Sequence, residues 1–166
     1  REFPMGAALN GMMQHGGMKV FGSTFFVFSD YERPAIRLRA IQELPVVSEY
    51  THDSIYVGED GPTHQPIEHL MSLRAMPGLK VYRPADANEA SMVSKMAFSD
   101  NKSPSLVLLT RQSIPVLDRS NLAPLEMVKK GGYILKDCTE NPDIIIFATG
   151  SEVHIALDVC ILLNDL

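Results

Sequence analysis

Short apolar runs alternate along this chain with longer stretches whose apolar residues recur at helical spacing. That alternation restricts the fold more than any other feature. Lys19-Val20-Phe21, Leu44 to Tyr50, Leu79 to Tyr82 and Ser105 to Thr110 read as strands. Met5, Ala8, Leu9, Met12 and Met13 mark a helix that Gly16-Gly17 stops. Pro4 suits the first turn of that helix, and Glu2 falls beside its partly positive N-terminus. Pro34 restarts or kinks a second helix continued by Ala35, Ile36, Leu38, Ala40 and Ile41. Pro66 opens a third, through Leu70, Met71 and Leu73, that Met76-Pro77-Gly78 ends. Asp86 with Glu89 three residues on forms a capping box for a fourth, to about Ser99. Strands joined through helices at this spacing need right-handed crossovers, so the expected class is α/β, a parallel sheet flanked by helices.

In such a sheet, ligands bind at the carboxyl ends of the strands. His52-Asp53 and Arg111 each follow a strand, so both are expected on one edge. Between them runs Thr51 to Glu68, a loop with two histidines, four carboxylates, two glycines and two prolines. A connection so long and polar inside a compact domain is usually a binding or catalytic loop. The Arg111 guanidinium suits a phosphate or carboxylate. On pattern alone, Asp60 in Glu-Asp-Gly is a turn residue, and His52 and His64 are either loop-stabilising or functional. His52, His64 and His69 match none of the common zinc spacings. Phe25, Phe28 and Tyr31 recur every three residues, which places the rings along one side of a short helix. Spacing alone favours core packing over a cofactor wall.

Composition excludes other classes. A net charge of −5 and a pI near 5.5 leave no broad basic face for nucleic acid or an anionic membrane. Cys138 and Cys160 make neither a disulfide framework nor a metal pattern, which points to a reducing, cytoplasmic setting. The longest apolar runs are far short of a membrane span. After Pro115 the chain changes character. Residues 118–131 read as a linker, then Tyr133 to Leu135 and Asp143 to Thr149 as strands, then Gly150-Ser151 as the cap of a helix from Glu152. That helix is apolar on nearly all sides and belongs inside a larger structure. The expected division is therefore 1–121 and 122–166. A start without methionine and an end inside an apolar helix read as a piece of something longer.

As strings, the motifs say more. Arg1-Glu2-Phe3, Gly22-Ser23-Thr24-Phe25, Thr51-His52-Asp53-Ser54-Ile55, Gly58-Glu59-Asp60-Gly61-Pro62-Thr63-His64-Gln65-Pro66, Arg83-Pro84-Ala85-Asp86 and Thr110-Arg111-Gln112 closely resemble transketolase. The synthase of deoxyxylulose phosphate shares the Gly-Glu-Asp-Gly-Pro-Thr-His string, but His-Asp-Ser-Ile is not expected before it. Gly131-Gly132-Tyr133-Ile134-Leu135 and Ala148-Thr149-Gly150-Ser151-Glu152 resemble the opening of that family's C-terminal domain.

The resemblance implies the later part of a pyrimidine-binding domain and the start of a C-terminal one. It implies an enzyme that uses thiamine diphosphate to move a two-carbon ketol unit between sugar phosphates. The donor would be a ketose phosphate such as xylulose 5-phosphate and the acceptor an aldose phosphate such as ribose 5-phosphate, in the pentose phosphate pathway. Glu2 matches the glutamate that bonds the aminopyrimidine nitrogen and so promotes loss of the thiazolium proton. Phe25, Phe28 and Tyr31 resemble the wall around the pyrimidine. His52 and Arg111 resemble phosphate-binding groups, and Asp60 a residue that reads a substrate hydroxyl. His64 resembles a residue beside the thiazolium, placed for proton transfer. The same resemblance implies a homodimer whose subunits share each active site. Magnesium or calcium would be bound by an N-terminal domain absent here, since no Gly-Asp-Gly followed by asparagine is present. A non-catalytic split subunit or docking fragment of such an enzyme is the alternative. Pro4 and Tyr56 depart from the family pattern, where glycine is expected at both.

Overall fold

The computed structural model describes residues 1–138 and 141–164. Four strands, β1 (Phe21–Phe25), β2 (Val47–Thr51), β3 (Lys80–Tyr82) and β4 (Ser105–Leu108), form one sheet in the order β1-β2-β4-β3. Every pairing is parallel, as the alternation requires. The helices are α1 (Glu2–His15), α2 (Ser29–Ile41), α3 (His69–Arg74), α4 (Ala87–Ser99) and α5 (Glu152–Asn164).

Alternate strand residues face opposite layers, which explains the two main cores. Tyr50, Leu106 and Leu108 pack with Phe26, Ile36 of α2 and Leu73 of α3. Val47 and Val107 point the other way, onto Val93 and Ala97 of α4 and onto Val128. A smaller cluster of Leu9, Val20 and Val46 docks α1. The Asp86 cap forms as expected, accepting from the Glu89 N–H at 2.8 Å, while the Glu89 carboxylate reaches back to the Ala85 N–H at 2.8 Å.

Beneath α1 and α2 lies a polar network that helical periodicity gave no hint of. Arg39 and Glu32 are wholly buried and pair at 2.7 Å. Arg39 also donates to Asn10 Oδ1 (2.9 Å), Ser48 Oγ (2.7 Å) and the Gly6 carbonyl (3.4 Å), and the Tyr50 hydroxyl donates to Glu32 at 2.6 Å. Burial first, and the adjoining Glu32 carboxylate second, push the Tyr50 hydroxyl pKa well above its ordinary value. Gly6 makes this approach feasible, because a Cβ there would lie 2.7 Å from the Glu32 side chain.

Several expected elements moved. The first strand runs Phe21–Phe25 rather than Lys19 to Phe21. Helix α2 passes through Pro34 without a break. Helix α3 begins at His69 and not at Pro66, and residues 58–60 and 62–64 form 3-10 turns before it. Phe25, Phe28 and Tyr31 do not share a helix. They occupy the end of β1, the end of a 3-10 turn and the first turn of α2. Residues 133–135 and 143–149, expected as strands, are irregular. A strand exists only through a ladder of bonds to a neighbour; neither segment has a ladder among the described residues, although the Leu135 carbonyl accepts from the Ala123 N–H at 2.8 Å. The following helix, α5, does form.

Candidate active site

In the β1–β2 register Phe25 pairs with Thr51, so both strands end together, and β4 lies on the other side of β2. His52 therefore emerges beside Phe25. The two rings stack with centroids 3.7 Å apart at 22°. Phe25 lies parallel to Phe28 (6.0 Å, 1°), and Phe28 leads to Tyr31 (6.0 Å, 34°). The expected aromatic row is thus present although no single helix carries it. A 3-10 turn repeats every three residues, which gives the same i, i+3 spacing. Tyr31, at the row's end, is 64% exposed.

The long loop folds back onto this row. His64 meets Phe28 edge-on (5.3 Å, 74°) and Phe25 more distantly (6.5 Å, 74°), with its Nδ1 2.9 Å from Thr63 Oγ1. Asp60 sits in the Gly58–Asp60 turn, its Oδ2 4.0 Å from His52 Nε2. Gly58 has φ +70°, and a Cβ there would lie 3.4 Å from the Arg111 guanidinium. Arg111 therefore lies against the same loop that carries Asp60 and His64. Phe25, Phe28, His52, His64, Asp60 and Arg111 converge on the carboxyl edge of the sheet.

Glu2 is placed less directly. It opens α1, its side chain is 19% exposed, and its carboxylate lies 3.7 Å from the Arg1 amino group. Among the described residues it makes no hydrogen bond or ion pair with the aromatic row or the loop. Its level follows from topology. The Gly16–Val20 link feeds α1 directly into β1, so the two run antiparallel, with Leu9 against Gly22. Glu2 is about 10 Å nearer the helix start than Leu9, and Phe25 about 10 Å further along the strand than Gly22. Glu2 and Phe25 thus reach the same edge.

Neither departure from the family pattern strains the backbone. Pro4 lies in the first turn of α1, where its N–H would have no partner. The non-glycine residues with positive φ are Glu43 and His52, so Tyr56 carries no left-handed strain. His69 is elsewhere, bonding Asp30 at 3.0 Å between α3 and α2. Asp30, Glu68 and His69 are the group whose ligand atoms converge among the described residues; His52 and His64 belong to no such group.

Sequence reasoning missed the support behind the loop. Asp53 is buried and accepts from Arg83 Nε at 2.6 Å. Arg83 sits 30 residues away at the end of β3, and no periodicity links the two.

Chemically, the edge offers a flat apolar face with imidazoles stacked on and against it, bordered by a guanidinium and a carboxylate. A flat heterocycle fits the first part, since aromatic faces stack on one another. An anionic substrate with hydroxyls fits the second. The fold and site together define a parallel α/β domain of the kind that binds thiamine diphosphate, with its ligand edge built from strand ends and one loop. Residues 1–116 match the family model for the transketolase pyrimidine-binding domain. The transketolase of Geobacillus stearothermophilus is 58% identical over 158 residues, 95% of this chain and 24% of that protein. A crystal structure of transketolase from Pichia stipitis with sedoheptulose 7-phosphate superposes with a TM-score of 0.92 at 46% identity, over 99% of this chain and 24% of that one. A split-gene transketolase, described as an inactive β4 tetramer, gives a TM-score of 0.62 at 28% identity over 71% of this chain and 37% of that one. The chain belongs to the transketolase family. It spans about a quarter of the length of such relatives, 24% in the case above.

Among the described residues, no helix is long and apolar enough to cross a membrane.

Proposed function

We propose that the protein carrying this chain is a transketolase that moves a two-carbon ketol unit from a ketose phosphate, such as xylulose 5-phosphate, to an aldose phosphate, such as ribose 5-phosphate. The observation that carries this reading is the parallel Phe25–Phe28 pair, with His52 stacked on one end and His64 edge-on, beside Arg111. Residues 1–121 act as the pyrimidine-binding unit, and 122–166 as the start of a C-terminal one. A diphosphate-binding domain outside this chain would hold magnesium or calcium, and a homodimeric partner would complete the site. Cysteine usage fits the cytoplasm.

Thiamine diphosphate, when bound, supplies an acidic ring carbon able to attack a carbonyl and to stabilise the charge left after the carbon–carbon bond breaks. This chain's residues do the rest. Phe25, Phe28 and Tyr31 give the pyrimidine a flat apolar wall and keep water from it. Glu2, at the start of α1, hydrogen-bonds the pyrimidine nitrogen and shares a proton there. His64 exchanges protons with the ketol hydroxyls, Asp60 accepts from a sugar hydroxyl, and His52 with Arg111 holds the phosphate.

Glu2→Gln tests this. It keeps shape and removes the titratable oxygen, so kcat should fall by about 10²-fold or more, the span usual for general acid–base groups. Calorimetric affinity for thiamine diphosphate should change far less. Near-normal turnover in the variant removes Glu2 from its role.

A second reading is favoured by the likeness to the inactive split-gene tetramer: the chain belongs to a separate subunit that turns over only with a complementary one. Native mass measurement, followed by a ketol-transfer assay with and without the diphosphate-binding partner, separates the two.

A further inference from the structure

His52 has φ +59°, in the left-handed region that a side-chain-bearing residue adopts only when its surroundings over-determine it. Its ring is held by Phe25 and by Thr51 Oγ1, 3.0 Å from Nδ1. Its backbone is held through the next residue. The Asp53 side chain is 1% exposed, and its Oδ2 accepts from Arg83 Nε at 2.6 Å. Oδ1 has no partner among the described residues, and Asp53 lines a cavity of about 290 Å³ with Phe26, Leu70, Arg83 and Glu152. Arg83 is therefore the tether that keeps this carboxylate from swinging into open space.

Arg83 is itself gripped from far along the chain. Its Nη1 donates to the Thr149 carbonyl at 2.8 Å and to the Glu152 carboxylate. Its own carbonyl accepts from the Gly150 N–H at 3.1 Å and from Thr149 Oγ1 at 3.2 Å. Gly150 has φ +64°, and a Cβ there would fall 2.7 Å from Arg83 Nε. Only glycine lets residues 149–152 close over the guanidinium. The charges agree with this grip. Burial pushes the Asp53 carboxyl up with Arg83 offsetting part of it. At Glu152 burial is the largest single influence and also pushes up, but the bond and charge of Arg83, with the Ser151 and backbone bonds, together outweigh it and hold the carboxyl low.

We propose that Arg83 is a positioning residue. It transmits the docking of residues 149–152 to the backbone of His52, so the turn before α5 sets the phosphate affinity of the site's rim. This rests on the reading of His52 as a phosphate-binding group. It assigns Arg83, Asp53, Gly150 and Glu152 a part in substrate affinity without contact with the substrate. The device is a chain of two ion pairs, each with one carboxylate, Asp53 at the near link and Glu152 at the far one, where the bonds to Thr149 and Gly150 add to the grip.

The test uses the holoenzyme containing this chain, loaded with thiamine diphosphate and a divalent cation. Glu152→Gln weakens the far link and leaves the Asp53–Arg83 bond in place. It should raise KM for a phosphorylated ketose about three- to tenfold, the range of coupling between residues of one network, with kcat unchanged to within about twofold. In a His52→Ala background the same substitution should add nothing. Hydrogen exchange of the amides at 51–56 should quicken in Glu152→Gln. Gly150→Ala, which drives a methyl into Arg83, should act in the same direction and more strongly. Equal KM effects of Glu152→Gln with and without His52, or unaltered exchange at 51–56, overturn the proposal. If the parent enzyme performs no ketol transfer, the functional reading fails, and exchange at 51–56 still decides whether the tether exists.

Discussion

Replacing Arg39 by methionine would probe the buried network that fastens α1 to the sheet. Arg39 is completely buried and donates to Glu32, Ser48, Asn10 and the Gly6 carbonyl at 2.7–3.4 Å. Methionine fills much of the volume but strands the Glu32 carboxylate, with the Tyr50 hydroxyl left as its donor at 2.6 Å. Breaking a buried pair from one side costs about 3–5 kcal/mol, and each further acceptor left without a donor adds about 1 kcal/mol when it cannot re-pair. Ser48 can rotate, whereas buried Asn10 loses the donor to its Oδ1, so the lower end of the pair's range plus one stranded acceptor gives about 4 kcal/mol. Because unfolding of a large protein need not be two-state, the loss is best read locally, from amide exchange in α1 and α2. Opening there should become on the order of a thousandfold more frequent. Arg39→Met combined with Glu32→Gln removes the stranded charge and keeps an acceptor for Tyr50, so the deficit should shrink to about 2 kcal/mol. An acceleration below about tenfold in the single variant, or a double variant worse than the single, would refute the account.

Arg111→Ala should raise KM for phosphorylated sugars by about tenfold or more and leave kcat nearly unaltered, as loss of uniform phosphate binding does; steady-state kinetics with phosphorylated and unphosphorylated donors give the comparison, and equal effects on both would exclude a phosphate contact. Tyr133 has its pKa pushed up to about 12 by burial and then by its bond to Glu89, against the opposing charge of Arg119. Its folded pKa exceeds the unfolded value near 10, so the stability it contributes is complete below about pH 10 and lost as pH rises toward 12. Tyr133→Phe should abolish that segment of the pH dependence, and an ultraviolet difference titration should lose a tyrosine that ionises at about 12. An identical alkaline profile in the variant would contradict the assignment.

Legibility differed from one element to the next for physical reasons. The Asp86–Glu89 cap could be read because its partners are three residues apart. The shared edge of His52 and Arg111 could be read because a parallel sheet sends all its carboxyl ends one way. The rings at 25, 28 and 31 suggested a helix because i, i+3 spacing belongs equally to a 3-10 turn after a strand. Residues 143–149 suggested a strand because β-branched apolar runs do, yet pairing belongs to two segments and not to one. Arg39 and Glu32 are of types seldom fully buried, and nothing in their spacing signals their burial. That α1 and β2 would close over them depends on Gly6, which lets two helices approach closely.

By itself, the sequence determined the local chemistry: the alternation of strands and helices as far as β4, the polar loop, the residues offered at its edge and the family. Tertiary structure alone decided which distant groups became neighbours. Asp53, Arg83 and Glu152 meet across 30 and 69 residues, and Arg39 finds Asn10 across 29. Local propensity reaches only as far as one turn or one strand. Those contacts follow from how layers pack, where burial fixes each charge beside the partner that offsets its desolvation.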